Sequence, residues 1–257
     1  HDLIPELFGN DFRVRKMRAQ LMKDAAHVIA VSQNTKNDLM RLYHVPTEKI
    51  SVIYHGYLPS RGSIRPLDAL TCHPATSRYI LFVGKRGGYK NFDFFIRAIA
   101  PLVQQDKSLS VFCTGSAFNV NEKELFVSLG IESQVAQGFV PDDEMLSVFA
   151  HALAFVYPSR YEGFGIPILD AFAAGCPVIL ANASCFPEVA GDAALYFDPT
   201  VESDLREKLA LLLSDQTLRT RLLAAARVRL ADFSWPKCSA ETAECYNAII
   251  ELGKHEY

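Results

Sequence analysis

From residue 79 onward, short runs of apolar residues recur at regular intervals, each followed by a segment whose apolar positions fall at helical spacing. Residues 79–83 (Tyr79-Ile80-Leu81-Phe82-Val83) form the first run, and Phe92, Phe95, Ile96, Ile99 and Leu102 then mark one face of a helix. Further strand candidates lie at 110–114, 135–139, 153–157, 177–181 and 194–197. Uninterrupted apolar runs of this length suit strands buried on both faces, so the alternation predicts a parallel sheet covered by helices on either side. Ahead of it the pattern is sparser. Residues 11–26 read as a basic helix, 28–31 as a short strand, a helix capped by Ser32 runs to about Tyr43, and 50–54 is another strand. Residues 57–78 hold Pro59, Gly62, Pro66 and Pro74 with little periodicity and read as a linker. Phe233-Ser234-Trp235-Pro236 interrupts the helical region, and a last helix is expected over about 237–253.

Two loops follow strands and precede helices, which puts them on the ligand-binding edge of an open parallel sheet. The first is Gly84-Lys85-Arg86-Gly87-Gly88-Tyr89-Lys90-Asn91, with Asn91 as the expected N-cap of the next helix. Here Arg86 and Lys90 can clamp a diphosphate, the arginine through paired hydrogen bonds and the lysine as a point charge. A nucleotide P-loop fits poorly, because Tyr89 replaces its second glycine and Asn91 its Ser/Thr. The second loop is Ser159-Arg160-Tyr161-Glu162-Gly163-Phe164-Gly165-Ile166-Pro167, with Asp170 one turn into the helix. Gly163 and Gly165 permit close backbone approach, Pro167 suits a first helical position, and amides at that helix start can face phosphate. Carboxylates for hydroxyls beside donors for phosphate describe a nucleotide-sugar site.

The second loop also resembles the signature of the retaining glycosyltransferases of family 4, a Glu, then Gly-Phe-Gly, then a second Glu after seven intervening residues. Glu162-Gly163-Phe164-Gly165 is intact, and Asp170 stands where the family has the second Glu, one methylene shorter. The first loop is similar to the family's Val-Gly-x-x-x-x-x-Lys-Asn, and His1-Asp2-Leu3-Ile4-Pro5 to its His-Asp-x-x-Pro element. The resemblance implies an α/β, two-lobe GT-B fold. Residues 1–57 would be the remnant of a Rossmann-like N-terminal domain on the acceptor side, and 58–78 the linker. Residues 79–236 would be the complete nucleotide-sugar domain with its doubly wound parallel sheet, and 237–257 a helix crossing back. It further implies that Glu162 accepts bonds from donor-sugar hydroxyls and that Gly84, Gly163, Phe164, Gly165 and Ile166 contribute backbone. Asp170 would hold the ribose, Val140 would meet the base through its main chain, and His1 would lie near the donor sugar. Arg86, Lys90 and Glu162 would serve catalysis without a metal or other cofactor. Similarity to mannosyltransferase-like members points to GDP-mannose as donor and to a glycan or lipid-linked saccharide as acceptor. Two alternatives stay open: a nucleotide-sugar binding module without transfer, and a sugar-nucleotide epimerase of the same architecture.

Composition narrows the field further. The 257 residues are 49% hydrophobic and 21% charged with a net charge of −3, which speaks against nucleic acid as partner. No apolar run reaches the roughly 20 residues of a membrane span, and no secretion leader is visible. Six scattered cysteines without a Cys-x-x-Cys pair suggest buried thiols and a cytoplasmic setting. Asp142, Asp143 and Glu144 read as first-turn acids of a helix rather than metal ligands. Arg219, Arg221, Arg227 and Arg229 read as a solvated helix face, with peripheral contact to anionic lipid at the inner membrane face as the alternative. Among the histidines, His27, His44, His73, His151 and His255 read as surface or boundary residues, and His55 as a hinge residue.

Overall fold

The structure, a computed structural model, describes residues 1–9, 12–58, 63–71 and 74–254. Cys72, His73 and His255 lie outside the described residues.

Among the described residues, six strands build the main sheet: β3 (Arg78–Phe82), β4 (Leu109–Thr114), β5 (Val135–Gly138), β6 (Ala154–Tyr157), β7 (Val178–Ala181) and β8 (Ala194–Phe197). They are preceded by β1 (Val28–Ala30) and β2 (Ile50–Val52), which pair in parallel with Val28 opposite Ile50. All neighbours in the main sheet are parallel, in the order β5-β4-β3-β6-β7-β8. The chain therefore builds outward from β3 to β5, returns to the other side of β3, and continues outward from β6 to β8. That reversal is a topological switch point, where the carboxyl ends of two adjacent strands diverge and leave a crevice. It lies between β3 and β6, where Ile80 faces Ala154 and Leu81 faces Phe155.

The helices are α1 (Ile4–Phe8), α2 (Phe12–Asp24), α3 (Gln33–Tyr43), α4 (Phe92–Gln105), α5 (Val120–Ser128), α6 (Asp142–His151), α7 (Ile166–Ala174), α8 (Phe186–Ala190), α9 (Glu202–Ser214), α10 (Gln216–Leu230) and α11 (Trp235–Lys254). Strand and helix side chains merge into one core that includes Tyr79, Phe82, Phe95, Phe112, Phe155 and Phe172. Leu3, Ala30, Leu39, Val45 and Ile50 form a separate small core for the first lobe. Ser32 caps α3 as expected, its Oγ accepting from the Thr35 amide at 3.0 Å. α11 starts two residues earlier than expected, because Pro236 falls in its first turn, where a missing N–H costs nothing.

The segment expected to be a linker is instead held against the second lobe. Arg65 pairs with Asp143 and with Glu144 at 3.3 Å, while the Thr71 amide and hydroxyl donate to Glu144 at 3.0 and 2.8 Å. The acids at the start of α6 thus clamp the connection as well as suiting the helix dipole. Between the lobes, the Glu188 carboxylate accepts from the Gln33 and Asn34 amides at the start of α3 and from the Tyr54 hydroxyl at 2.8 Å. Tyr161 donates to Asp38 at 2.8 Å, and the Tyr57 amide to Phe233 O at 3.1 Å. Among the described residues no helix is long and apolar enough to cross a membrane.

Candidate functional site

The loop after β3 and the loop after β6 meet over the switch point. The Arg160 amide donates to Tyr89 O at 2.8 Å, fastening one loop to the other. Above that joint, Lys90 Nζ donates to Glu162 Oε1 at 2.7 Å and lies 3.4 Å from the Tyr157 hydroxyl. The ammonium also sits over the rings of Tyr89 and Tyr157, at 5.4 and 5.2 Å from their centroids. Both partners of the ion pair are largely shielded, with side-chain exposures of 13% for Lys90 and 11% for Glu162. Burial, followed by the neighbouring Glu162, pushes the Tyr157 phenol well above its ordinary range, so it stays protonated. Sequence separation between Lys90 and Glu162 is 72 residues, and only the reversal of strand order brings them together.

Gly165 is the N-cap of α7 with φ +91°, a left-handed conformation that a side chain would strain. Pro167 therefore falls at the second helical position, one further in than expected. The Ile168 amide is taken by Gly165 O at 2.9 Å, which leaves the amides of Gly165 and Ile166 as the candidates for a ligand. Gly163 has a different reason to be glycine. A Cβ there would fall 2.1 Å from the His1 carbonyl oxygen, so the glycine admits the first lobe rather than a ligand. His1 stacks on His55 at 5.4 Å, and His55 meets the edge of Phe164 at 5.2 Å. Burial lowers the His55 pKa and favours the neutral ring. Phe164 is buried among Tyr54, His55 and Phe233, so its side chain serves the lobe contact.

Asp170 lies half-buried in α7, about 6 Å along the helix from Ile166 at the ordinary rise. Its carboxyl has no hydrogen-bond or ion-pair partner among the described residues, and burial alone pushes its pKa up to about 6. Val140 is buried after β5, while its neighbour Phe139 is 80% exposed. The Gly84 amide donates to Thr114 at 3.2 Å, joining the ends of β3 and β4.

Arg86 does not join Lys90 and Glu162. Its Nε donates to Glu122 at 2.9 Å and its Nη2 to Ser116 O and Ala117 O at 2.6 and 2.9 Å, while the guanidinium lies 4.8 Å over Phe118. Glu122 in turn completes a capping box with Asn119 at the start of α5. The expected diphosphate clamp is here a tie between two loops. Asn91 also departs from expectation: it sits at the N-cap position with φ +57°, but its side chain donates to Pro199 O at 3.1 Å instead of capping.

Two cations that the sequence reading passed over face the crevice. A cleft of about 630 Å³ lies between Ile4, Pro5 and Phe8 of the first lobe and Lys85, Tyr89, Lys90 and Arg160 of the second. Lys85 and Arg160 are exposed, and neither has a carboxylate partner among the described residues. The available signal was their place in the two loops, next to Gly84 and Glu162.

Arg219 donates to Leu153 O and Arg229 to Val189 O and Glu188 O, so two of the four arginines expected on a solvated helix face are tied inward. Cys113, Cys176 and Cys185 are buried free thiols. Among the described residues, no cluster of three His, Cys, Asp or Glu side chains is arranged to hold a metal ion.

Comparison with known proteins bears on this geometry. Residues 70–229 match the family described as Glycosyl transferases group 1, and residues 1–61 match Glycosyltransferase Family 4. The chain is 28% identical over 261 residues to O-antigen chain mannosyltransferase B of Escherichia coli, covering 95% of this chain and 67% of that protein. It is 30% identical over 207 residues to O-antigen chain mannosyltransferase RfbU of Salmonella typhimurium, covering 79% and 56%. Among solved structures it resembles Anabaena HepE in complex with UDP and glucose, with a TM-score of 0.80 at 20% identity over 96% of this chain and 70% of that one. The chain thus spans 56% and 67% of the length of these two curated relatives.

Proposed function

Because this chain belongs to the group 1 glycosyl transferases, with the GT-B type of architecture, we propose that it forms the donor side of a glycosyltransferase. The reaction moves a sugar from a nucleoside diphosphate to an acceptor hydroxyl. The observation that carries this reading is the contact of Lys90 with Glu162 at the switch point, beside the open amides of α7. A diphosphate placed there meets the positive end of the helix and the Lys90 ammonium, both fixed before the reaction begins. Charge that develops on the departing diphosphate is therefore stabilised without reorganisation of the site. Lys85 and Arg160, free on the same cleft, supply the remaining positive charge, a role in which they take the place of Arg86.

On this reading Glu162 accepts from hydroxyls of the transferred sugar while Lys90 fixes its orientation, and Asp170 accepts from the ribose. Retention at the anomeric carbon follows the family resemblance, and so does independence from metal. A glycosyl-enzyme intermediate is not part of the reading. Glycosidases of that kind need two acids flanking the scissile bond, whereas Glu162 is committed to Lys90 and Asp170 lies a helical turn inside α7. The names of the E. coli and Salmonella relatives favour mannose as the sugar, and hence GDP-mannose as donor. A glycan or lipid-linked saccharide at the inner face of a membrane is the corresponding acceptor.

Calorimetry with GDP-mannose and UDP-glucose, beside a radiolabelled transfer assay, tests the proposal. Saturable binding with transfer is the expected result. Binding without transfer would favour a donor-binding module. Failure to bind any nucleotide sugar would end both.

A further inference from the structure

We propose that Ser184 is a positioning residue for Glu162. The inference rests on the glycosyl-transfer reading for its functional consequence, but its geometry stands by itself. Ser184 lies in the turn between β7 and α8, and it is a non-glycine residue with φ +55°. Such a conformation is strained for a residue carrying a Cβ. The strain persists because the hydroxyl is used twice. Ser184 Oγ donates to the Glu162 carbonyl at 2.7 Å and accepts from the Glu162 amide at 3.2 Å. One side chain thereby grips both backbone polar groups of a single residue 22 positions away.

The adjacent thiol of Cys185 donates to the same carbonyl at 3.3 Å. Burial holds that thiol far above its ordinary pKa, so it remains an S–H donor. The Glu162 backbone is thus fixed by two consecutive side chains from a different loop, while its carboxylate is fixed by Lys90. Neither hydroxyl nor thiol reaches the carboxylate. Their effect on chemistry must run through the placement of Glu162, which is what distinguishes positioning from catalysis.

Replacement by glycine separates this role from a bland structural one. Ser184→Gly relieves the left-handed strain, so its melting temperature should stay near that of the parent or rise. If the serine only closes a turn, the variant should also turn over normally. Loss of the grip should instead lower kcat for nucleotide-sugar turnover by on the order of tenfold to a hundredfold, the scale of a small misplacement of a reacting group. Binding of GDP and UDP, which carry no sugar for Glu162 to hold, should be unchanged. Parent-like kcat in Ser184→Gly would overturn the proposal, as would an equal loss of GDP and UDP affinity.

A crystal structure of Ser184→Gly gives a readout independent of activity. A displaced Glu162 backbone with the Lys90–Glu162 pair lengthened beyond hydrogen-bond reach supports the positioning role. An unmoved pair at 2.7 Å rejects it. Should the parent protein neither bind nor turn over GDP-mannose or UDP-glucose, the glycosyl-transfer reading fails. This structural comparison then still decides whether Ser184 places Glu162.

Discussion

Lys90→Ala is expected to reduce kcat/KM for nucleotide-sugar turnover by about 10²- to 10³-fold, the cost of removing one fixed donor from a developing oxyanion. It should also lower the melting temperature. Glu162 is 8% exposed and would be left without its cation, and breaking a shielded ion pair from one side costs about 3–5 kcal/mol. The two effects can be separated. In the double variant Lys90→Met/Glu162→Gln no uncompensated charge remains, so stability should recover while turnover stays low. Arg86→Ala gives the contrast. Its guanidinium joins Glu122 and two carbonyls of the β4–α5 loop, so its loss should appear mainly as a lowered melting temperature. Near-normal turnover in Lys90→Ala, measured on folded protein, would remove the ammonium from the mechanism.

Asp170→Asn is expected to raise the melting temperature at pH 7.5 and leave it unchanged at pH 4. The Asp170 carboxyl has a pKa of about 6 in the folded protein against 3.8 as its ordinary value, with burial as the cause. Between those values the folded state holds a proton that the unfolded state has released. Stability therefore falls as pH rises through this window, and the loss remains in full above pH 6. Lifting the pKa from 3.8 to about 6 corresponds to roughly 2–3 kcal/mol, which the amide avoids. The functional effect has the opposite direction. Ribose hydroxyls donating to the ionised carboxylate would favour its charged form, so nucleotide binding should release a proton near pH 6 and weaken below it. Two hydrogen bonds to a charged group are worth roughly 1.5–3 kcal/mol each, and Asp170→Asn should accordingly weaken nucleotide affinity by at least tenfold. Differential scanning at both pH values and calorimetry at pH 7.5 check both halves. Equal melting shifts at pH 4 and 7.5 would show that Asp170 is not held against desolvation.

The sheet was legible because its strands are buried on both faces and therefore appear as unbroken apolar runs. The expected strand 79–83 is displaced by one residue from the observed Arg78–Phe82, and the expected 153–157 exceeds Ala154–Tyr157 by one residue at its start. Lys90 and Glu162 were legible because each sits in a loop between such a run and a helical pattern, and strands of one direction deliver such loops to one edge. Their direct contact was not, since nothing local encodes the strand order that makes β3 and β6 neighbours. Arg86 was misjudged for a related reason. Its partner Glu122 lies 36 residues away on the far side of β4, and basic character alone does not reveal which anion an arginine will meet. The proline-rich stretch of 57–78 hides its attachments similarly, because Arg65 and Thr71 find Glu144 only across the fold. Ser184 leaves no trace in a periodicity at all. A serine in a turn is ordinary, and only its positive φ and its double bond to Glu162 set it apart.

A crystal structure with bound GDP-mannose tests the central claim most directly. The diphosphate should lie at the start of α7, with oxygens in hydrogen-bond reach of the Gly165 and Ile166 amides and of Lys90 Nζ, and with Glu162 facing the sugar hydroxyls. A donor lodged elsewhere, with Lys90 Nζ and the amides of α7 unused, would contradict the account.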